Sequence, residues 1–276
     1  MKSNTKSLLI VKNASYQYSD AEEGEYALRD VSFEFEKGKV YAIRGRSGTG
    51  KTTLLSLISG LERCTEGDII FNGKNLRDIN LDYYRSHDIG IVFQSYNLLP
   101  FMTASENIIL SMDASGSKVA DKKARALELM KSVGLKESYA NRKVLRLSGG
   151  EQQRVAIARS LSYNPKMIVA DEPTGNLDAD NARKAMELLS NKLNEMHGSS
   201  AIIVSHDMRL SMDFADVIIK IKKCVAEKND SHDDNTFFGL ITDQCVYMPT
   251  DAERSAWTNG NESYKDIDFE QFLKKG

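Results

Sequence analysis

Three observations predict an α/β fold with a mostly parallel core sheet, an antiparallel β portion and an inserted helical block. First, the apolar strand pattern Val40-Tyr41-Ala42-Ile43 enters a glycine-rich loop, and a helical pattern over 53–60 follows it. Second, strand patterns at 167–170, 201–204 and 217–221, with a helical pattern at about 180–196 between the first two, read as βαβ units on a parallel sheet. Third, Val31-Ser32-Phe33-Glu34-Phe35 alternates apolar and polar residues, as a half-buried antiparallel strand should.

The loop after the first strand is Gly45-Arg46-Ser47-Gly48-Thr49-Gly50-Lys51-Thr52. Its glycines let the backbone turn tightly and bring N–H groups close to an anion. A helix starting at Lys51 adds about half a positive charge at its N-terminus. Lys51 can then reach β- and γ-phosphates, and the Thr52 hydroxyl can ligate Mg²⁺. The strand before and the helix after separate this loop from a structural turn. They predict a P-loop NTPase with a RecA-like core.

The 276 residues are 41% hydrophobic and 28% charged, enough for a sizeable core in one or two domains. A net charge of −2 offers no general steering towards nucleic acid or acidic lipid. No apolar run reaches the roughly 18–20 residues of a membrane span. No signal peptide is visible after Lys2 and Lys6, so a cytosolic chain is expected, with any membrane role left to a partner. Cys64, Cys224 and Cys245 form neither a metal motif nor a disulfide framework and read as inert thiols.

In chain order, 8–18 reads as a strand ending in Tyr16 and Tyr18, and Glu36-Lys37-Gly38-Lys39 as a turn. Gly67–Phe71 with Asn72-Gly73 reads as a strand and a tight turn, and 89–93 as a strand closed by Gln94. Helical patterns follow at 103–111, 118–134 and 149–163. In the second of these, Ala124, Leu127, Met130 and Val133 are the expected core stripe of a solvated amphipathic helix.

Met167-Ile168-Val169-Ala170-Asp171-Glu172 is an apolar strand ending in two carboxylates, at the end of a parallel sheet that faces a ligand crevice. Asp171 would hold Mg²⁺, mainly through water. Glu172 would orient the attacking water or take its proton. Ser148 reads as a helix N-cap, with Glu151 three residues on as in a capping box. Gly149 and Gly150 beside a helix N-terminus also suit an anion.

The phosphate loop, Gln94, Leu147-Ser148-Gly149-Gly150-Glu151, Asp171-Glu172, Asn176-Leu177-Asp178 and His206 occur in this order. Over residues 8 to about 222 the chain resembles an ATP-binding cassette of ABC transporters. The resemblance implies ATP and Mg²⁺ as ligands, and two cassettes that meet head to tail. Ser148, Gly149, Gly150 and Glu151 of one would cover the γ-phosphate held by the other. It further implies that the loop, continued through Thr53, contacts nucleotide. Tyr18 would stack on adenine, with Tyr16 as the alternative. Gln94 would touch Mg²⁺ and water and sense a membrane partner, His206 would contact the γ-phosphate, and Asp178 would cross the dimer interface. Glu151 stands where many cassettes have glutamine, which leaves the serine and glycines in place. His87, His197 and His232 match nothing and are assigned to the surface.

Three stretches, 91–100, Glu106-Asn107 and 170–178, resemble the LolD/MacB type of lipoprotein-release and macrolide or antimicrobial-peptide export ATPases, and FtsE of cell division. The implied role is the ATPase subunit of a bacterial exporter of peptide, lipid, lipoprotein or drug, peripheral on the inner face of the membrane through an integral permease. The alternatives are an FtsE-like regulator of a cell-wall hydrolase and an importer ATPase. A nucleic-acid ATPase of the coiled-coil repair type is excluded, because the segment from Gln94 to Ser148 is too short for its coil.

The expected organisation is a cassette over 1–222, with a helical subdomain at about 95–163, and a C-terminal extension over 223–276. Cassettes of this subgroup often end soon after the last strand with a glycine turn, which Lys222-Lys223-Cys224-Val225 replaces here. Phe237–Ile241 is a possible strand and 267–273 a possible short helix. The tail reads as an appendage on the core, with full disorder as the alternative that Trp257 and the aromatics oppose.

Overall fold

The structure is a computed structural model that describes residues 7–22, 25–196, 198–225, 237–241 and 246–250. The possible helix at 267–273 and Trp257, His197, His232 and Cys245 lie outside the described residues, as does the side chain of Cys224. Two compact units divide the chain. One runs to Asn80 and resumes at His206, and the other is Leu81–Ser205.

The first unit opens with strands β1 (Ser7–Tyr16) and β2 (Leu28–Glu36), paired antiparallel. In β2 the alternation does what period 2 requires: Val31 and Phe35 are buried while Asp30, Ser32 and Glu34 are exposed; β1 buries Leu8, Leu9 and Val11. Phe35 packs edge-on against Tyr41 of β3 (Val40–Arg44), with ring centroids 4.9 Å apart. The Tyr41 hydroxyl accepts from the Glu36 backbone N–H at 2.7 Å, which closes the turn through Gly38. Burying a side chain such as Phe35 contributes about 1.5–3 kcal/mol.

Helix α1 (Lys51–Ile58) follows the loop, then β4 (Glu66–Phe71) and β5 (Lys74–Asn75). Asn72 and Gly73 join these two strands with φ of 47° and 79°, the left-handed pair that a two-residue hairpin demands. Strand β1 ends at Tyr16, so Tyr18 lies beyond the strand that the sequence extends to it.

The second unit begins with a single turn, α2 (Leu81–Tyr83), and a π-type turn over Tyr84–Asp88 that the sequence reading lacked. Strand β6 (Ile89–Val92) follows, then α3 (Ala104–Ala114), α4 (Lys122–Ser132) and α5 (Gly149–Leu161). The buried stripe of α4 is Ala126, Leu129 and Met130, continued by Val133. Met130 and Val133 belong to the expected stripe, whereas Ala124 is exposed and Leu127 half-buried. Asp121 caps α4, which shortens it relative to the 118–134 pattern.

Strand β7 (Met167–Asp171), helix α6 (Ala179–Glu195) and β8 (Ser200–Val204) complete the unit. Strands β6, β7 and β8 pair in parallel, and all five residues of β8 are buried, as a strand covered on both faces should be.

The first unit resumes with α7 (Met208–Phe214), a helix the sequence reading lacked, and β9 (Val217–Lys220), parallel to β3. Beyond it, β10 (Lys222–Val225) and β11 (Phe237–Leu240) pair antiparallel, and β11 joins β2 through Gly239 opposite Leu28. Strand β12 (Val246–Tyr247) adds to β9. The sheet of β1 and β2 therefore runs β10-β11-β2-β1-β4-β5, antiparallel at every pairing except the parallel β11–β2.

Candidate functional site

In the first unit the phosphate loop is shaped by contacts that only glycine permits. Gly50, the N-cap of α1, has φ +82°, and a Cβ there would lie 2.6 Å from the Ala27 carbonyl oxygen and from the Leu28 side chain. A Cβ at Gly45 would lie 2.6 Å from the Thr49 hydroxyl and 2.9 Å from the Ile221 carbonyl oxygen. The Thr49 hydroxyl donates to the Arg46 carbonyl at 2.9 Å. Lys51 is only 6% exposed, and its ammonium donates to the carbonyls of Gly45 at 3.0 Å and Arg46 at 2.9 Å. A buried cation held by carbonyls of its own loop is poised to exchange them for phosphate oxygens. Ser47 and Gly48 form the exposed crest of the loop.

Tyr18 is 48% exposed and Tyr16 only 9%. Their rings meet edge to face with centroids 5.0 Å apart, so the buried ring braces the exposed one. The Tyr18 hydroxyl lies 2.9 Å from the Thr53 hydroxyl, which ties this aromatic to the helix behind the loop. Exposed His206 precedes α7, and its carbonyl accepts from the Arg44 guanidinium at 3.0 Å. Arg44 is the residue before Gly45. Burial lowers its pKa, and the Asp207 carboxylate acts in the opposite direction. The sequence reading passed over Arg44, because a strand-end arginine carries no motif.

In the second unit, Glu172 follows β7 with φ +45°, a conformation that side chains rarely adopt. Its N–H donates to the Val204 carbonyl at 3.0 Å, and its carbonyl accepts from Gly175 N–H at 3.0 Å. The Gln94 side-chain amide donates to the Glu172 carboxylate at 3.1 Å. Asn176 donates to the Gln94 carbonyl at 3.2 Å. A Cβ on Gly175 would sit 3.4 Å from the Glu172 carboxylate and 3.5 Å from the Gln94 amide. These residues, distant in sequence, thus form one contact group. Asp171 ends β7 beside them.

Ser148 caps α5 as expected. Its N–H donates to the Glu151 carboxylate at 2.8 Å, and its hydroxyl accepts from the Glu151 N–H at 3.3 Å. Partial burial raises the Glu151 pKa, but bonds from Ser148, a Tyr139 hydrogen bond and the Arg154 charge outweigh it and hold the group below its ordinary value. Gly149 and Gly150 have ordinary φ. A Cβ at Gly149 would press on the Tyr96 hydroxyl at 3.3 Å, whereas one at Gly150 would meet nothing closer than 3.4 Å, an ordinary contact, so glycine is not demanded by packing at Gly150. Asp178 caps α6, accepting from the Asn181 N–H at 2.9 Å and from its side-chain amide at 2.7 Å. The Asn181 bonds, backbone first, hold its pKa low.

His87 is half-buried and stacks on Tyr83 at 3.9 Å. Glu106, at N3 of α3, closes a capping box with Thr103. Asn107 bonds both backbone groups of Leu99 and the Thr103 carbonyl. The Glu106-Asn107 pair therefore braces the segment after Gln94. Thr52 in the first unit, and Gln94 and Asp171 in the second, each carry an oxygen of the kind that can ligate Mg²⁺. Among the described residues no group of three His, Cys, Asp or Glu side chains could hold a metal.

A phosphate loop at a helix N-terminus, on an α/β fold with a carboxylate-tipped parallel strand, defines a P-loop ATPase. The family model described as ABC transporter matches residues 28–175, and the chain belongs to that family as an ATP-binding cassette. It is 42% identical over 217 residues to YclH of Bacillus subtilis (strain 168), named an uncharacterised ABC transporter ATP-binding protein. The match covers 79% of this chain and 94% of that protein. It is 40% identical over 229 residues to MJ0796 of Methanocaldococcus jannaschii, which carries the same description, covering 81% and 97%.

Among solved structures, a dimeric post-hydrolysis state of MJ0796 bound to ADP and Pi superposes with a TM-score of 0.72, covering 78% of this chain and 94% of that one. CbiO1 of Clostridium perfringens, described as part of a cbiONQ transporter complex, is 29% identical with a TM-score of 0.68, covering 78% and 84%.

Proposed function

We propose that this cassette dimerises around two ATP molecules and drives a separate membrane subunit, most simply an exporter of peptide, lipid, lipoprotein or drug. The observation that carries the dimer is Gly150: small at a capped helix N-terminus, although a Cβ there would make only ordinary contacts, 3.4 Å and beyond, within its own chain. A facing triphosphate supplies the need for that smallness. The dimeric state of the MJ0796 cassette supports the same reading.

In each protomer Lys51 and the N–H groups of Gly45, Arg46, Ser47, Gly48, Thr49 and Gly50 hold phosphates, with Thr52 and Thr53 at the helix start. Exposed Tyr18 offers its face to adenine, and braced Tyr16 does not. Glu172 takes the proton of the attacking water, or orients it, and Gln94 holds the carboxylate. His206 contacts the γ-phosphate, and Asp178 lies at the dimer interface. Thr52, Gln94 and Asp171, the last mainly through water, would hold Mg²⁺, which neutralises phosphate charge when bound.

A groove of about 320 Å³ in the second unit includes Phe93, Asn97, Leu99, Leu110, Arg159 and Tyr163 in its lining. Leu99, Leu110 and nearby Phe101 are exposed apolar residues, which suits a docking segment of the membrane subunit. Among the described residues no helix is long and apolar enough to cross a membrane. In this reading the cassette occupies 1–222, with the helical subdomain at about 95–163, and 223–276 is a C-terminal extension.

The test uses Glu172→Gln, which should trap an ATP-dependent dimer on gel filtration. Adding Ser148→Arg should abolish the dimer while a fluorescent ATP analogue still binds the monomer. A dimer that survives Ser148→Arg would overturn the reading.

A further inference from the structure

The loop after Gln94 carries two successive strained residues. Tyr96 has φ +63° and Asn97 φ +48°. Side chains enter that region singly and at a cost, because Cβ crowds the following carbonyl. Short-range bonds contribute to the turn: Tyr96 N–H to the Phe93 carbonyl at 3.1 Å, and Asn97 N–H to the Ser95 carbonyl at 2.7 Å. The long-range hold is Arg159 of α5. Its Nη2 donates to the Tyr96 carbonyl at 2.8 Å and its Nη1 to the Asn97 carbonyl. The planar guanidinium fork matches two adjacent carbonyls as an ammonium cannot. Burial lowers the pKa of this group. Among the described residues no carboxylate forms an ion pair with it, so its hydrogen-bonding capacity goes to the loop.

The same loop begins at Gln94, whose amide sits on Glu172 at 3.1 Å. We propose that Arg159 is a positioning residue for hydrolysis: by holding Tyr96 and Asn97 in their left-handed conformation it fixes Gln94, and through Gln94 the carboxylate of Glu172. This rests on the reading of Glu172 as the base. Arg159 and Asn97 also line the groove, so a segment entering it meets the guanidinium that holds the loop. Arg159, Tyr96, Asn97, Gln94 and Glu172 all belong to the second unit, and none of them is a residue of the phosphate loop. Loss of Arg159 therefore acts on turnover and not on nucleotide affinity.

The test compares steady-state ATPase kinetics of the full chain with Arg159→Ala, Arg159→Lys and Arg159→Ala/Asn97→Gly. Thermal unfolding and fluorescent-ATP binding are measured on each. Arg159→Ala should lower kcat by about 10- to 100-fold, the scale of a small misplacement of a catalytic group, with KM for ATP within about twofold. Arg159→Lys should fall almost as far, because charge without the fork cannot hold two carbonyls. Asn97→Gly relieves the strain that Arg159 opposes and should recover part of kcat in the double variant.

The proposal is overturned if Arg159→Ala keeps kcat within about twofold. It is equally overturned if kcat, KM and the unfolding midpoint fall together and Asn97→Gly restores none of them. Glu172→Gln is the control: full activity in that variant would sink the reading of the base and leave the role of Arg159 in holding the loop to be read from the other variants.

Discussion

Gln94 and Glu172, 78 positions apart, share a hydrogen bond of 3.1 Å, and Glu172 accepts it from a left-handed backbone that its neighbours enforce. A carboxylate so held keeps its Oε2 on the Gln94 amide. Replacing it by glutamine keeps the shape and removes the base. Glu172→Gln should lower ATP turnover by about 10²–10⁴, with ATP binding retained. Phosphate release measured under saturating ATP decides it, and wild-type turnover would move the base elsewhere.

Gly50 and Gly48 separate strain from collision. Both have positive φ, at +82° and +75°, but a Cβ on Gly48 meets nothing within 4 Å, while one on Gly50 runs into the Ala27 backbone. Gly48→Ala should cost about 1–2 kcal/mol, the penalty of the left-handed region alone. Gly50→Ala should cost more and also displace Leu28. Thermal unfolding without nucleotide should rank them wild type, Gly48→Ala, Gly50→Ala in falling order. Equal midpoints for the two variants would rule out the Ala27 collision as a separate cost.

Tyr18 is the exposed member of an edge-to-face pair. Base stacking on an aromatic contributes about 1–3 kcal/mol, so Tyr18→Ala should weaken ATP binding by roughly 5- to 150-fold. Tyr18→Trp should retain most of it despite losing the Thr53 contact. Titration with a fluorescent ATP analogue measures both. A larger loss from Tyr16→Ala than from Tyr18→Ala would assign the stack to the other ring.

Glu151 titrates within the cap of α5. Its folded-state pKa lies below its ordinary value, so its contribution is present above about pH 4.3 and is lost as pH falls through the lower, folded-state value. Glutamine at this position makes the same capping bonds without titrating. Between about pH 5 and pH 3, the unfolding midpoint of Glu151→Gln should therefore fall less than that of the wild type. Parallel pH profiles would remove Glu151 from the acid sensitivity.

The extension reaches the phosphate loop through β2. Gly239 of β11 pairs with Leu28, and Leu28 is the side chain that a Cβ on Gly50 would strike. Deleting 226–276 should loosen that backing and raise KM for ATP by roughly fivefold, the equivalent of about 1 kcal/mol. An unchanged KM, together with unchanged dimerisation, would confine the extension to some other role.

What could be read along the chain was whatever neighbours in sequence build by themselves. The phosphate loop and its helix, the Asn72-Gly73 hairpin and the Ser148–Glu151 capping box all join residues within a few positions, so composition and spacing carry them. The period-2 and parallel-strand patterns were legible for the same reason, since a strand's burial follows its own alternation. Helix α7 was not, because seven residues are too few to show a period.

The tertiary structure alone decided which side chains hold the site. Arg44 reaches the His206 carbonyl, Arg159 reaches Tyr96 and Asn97, and Gln94 reaches Glu172, across 62 to 162 positions. A hydrogen bond depends on a distance and an angle in space, and no local pattern encodes a meeting that the folding of the whole sheet brings about.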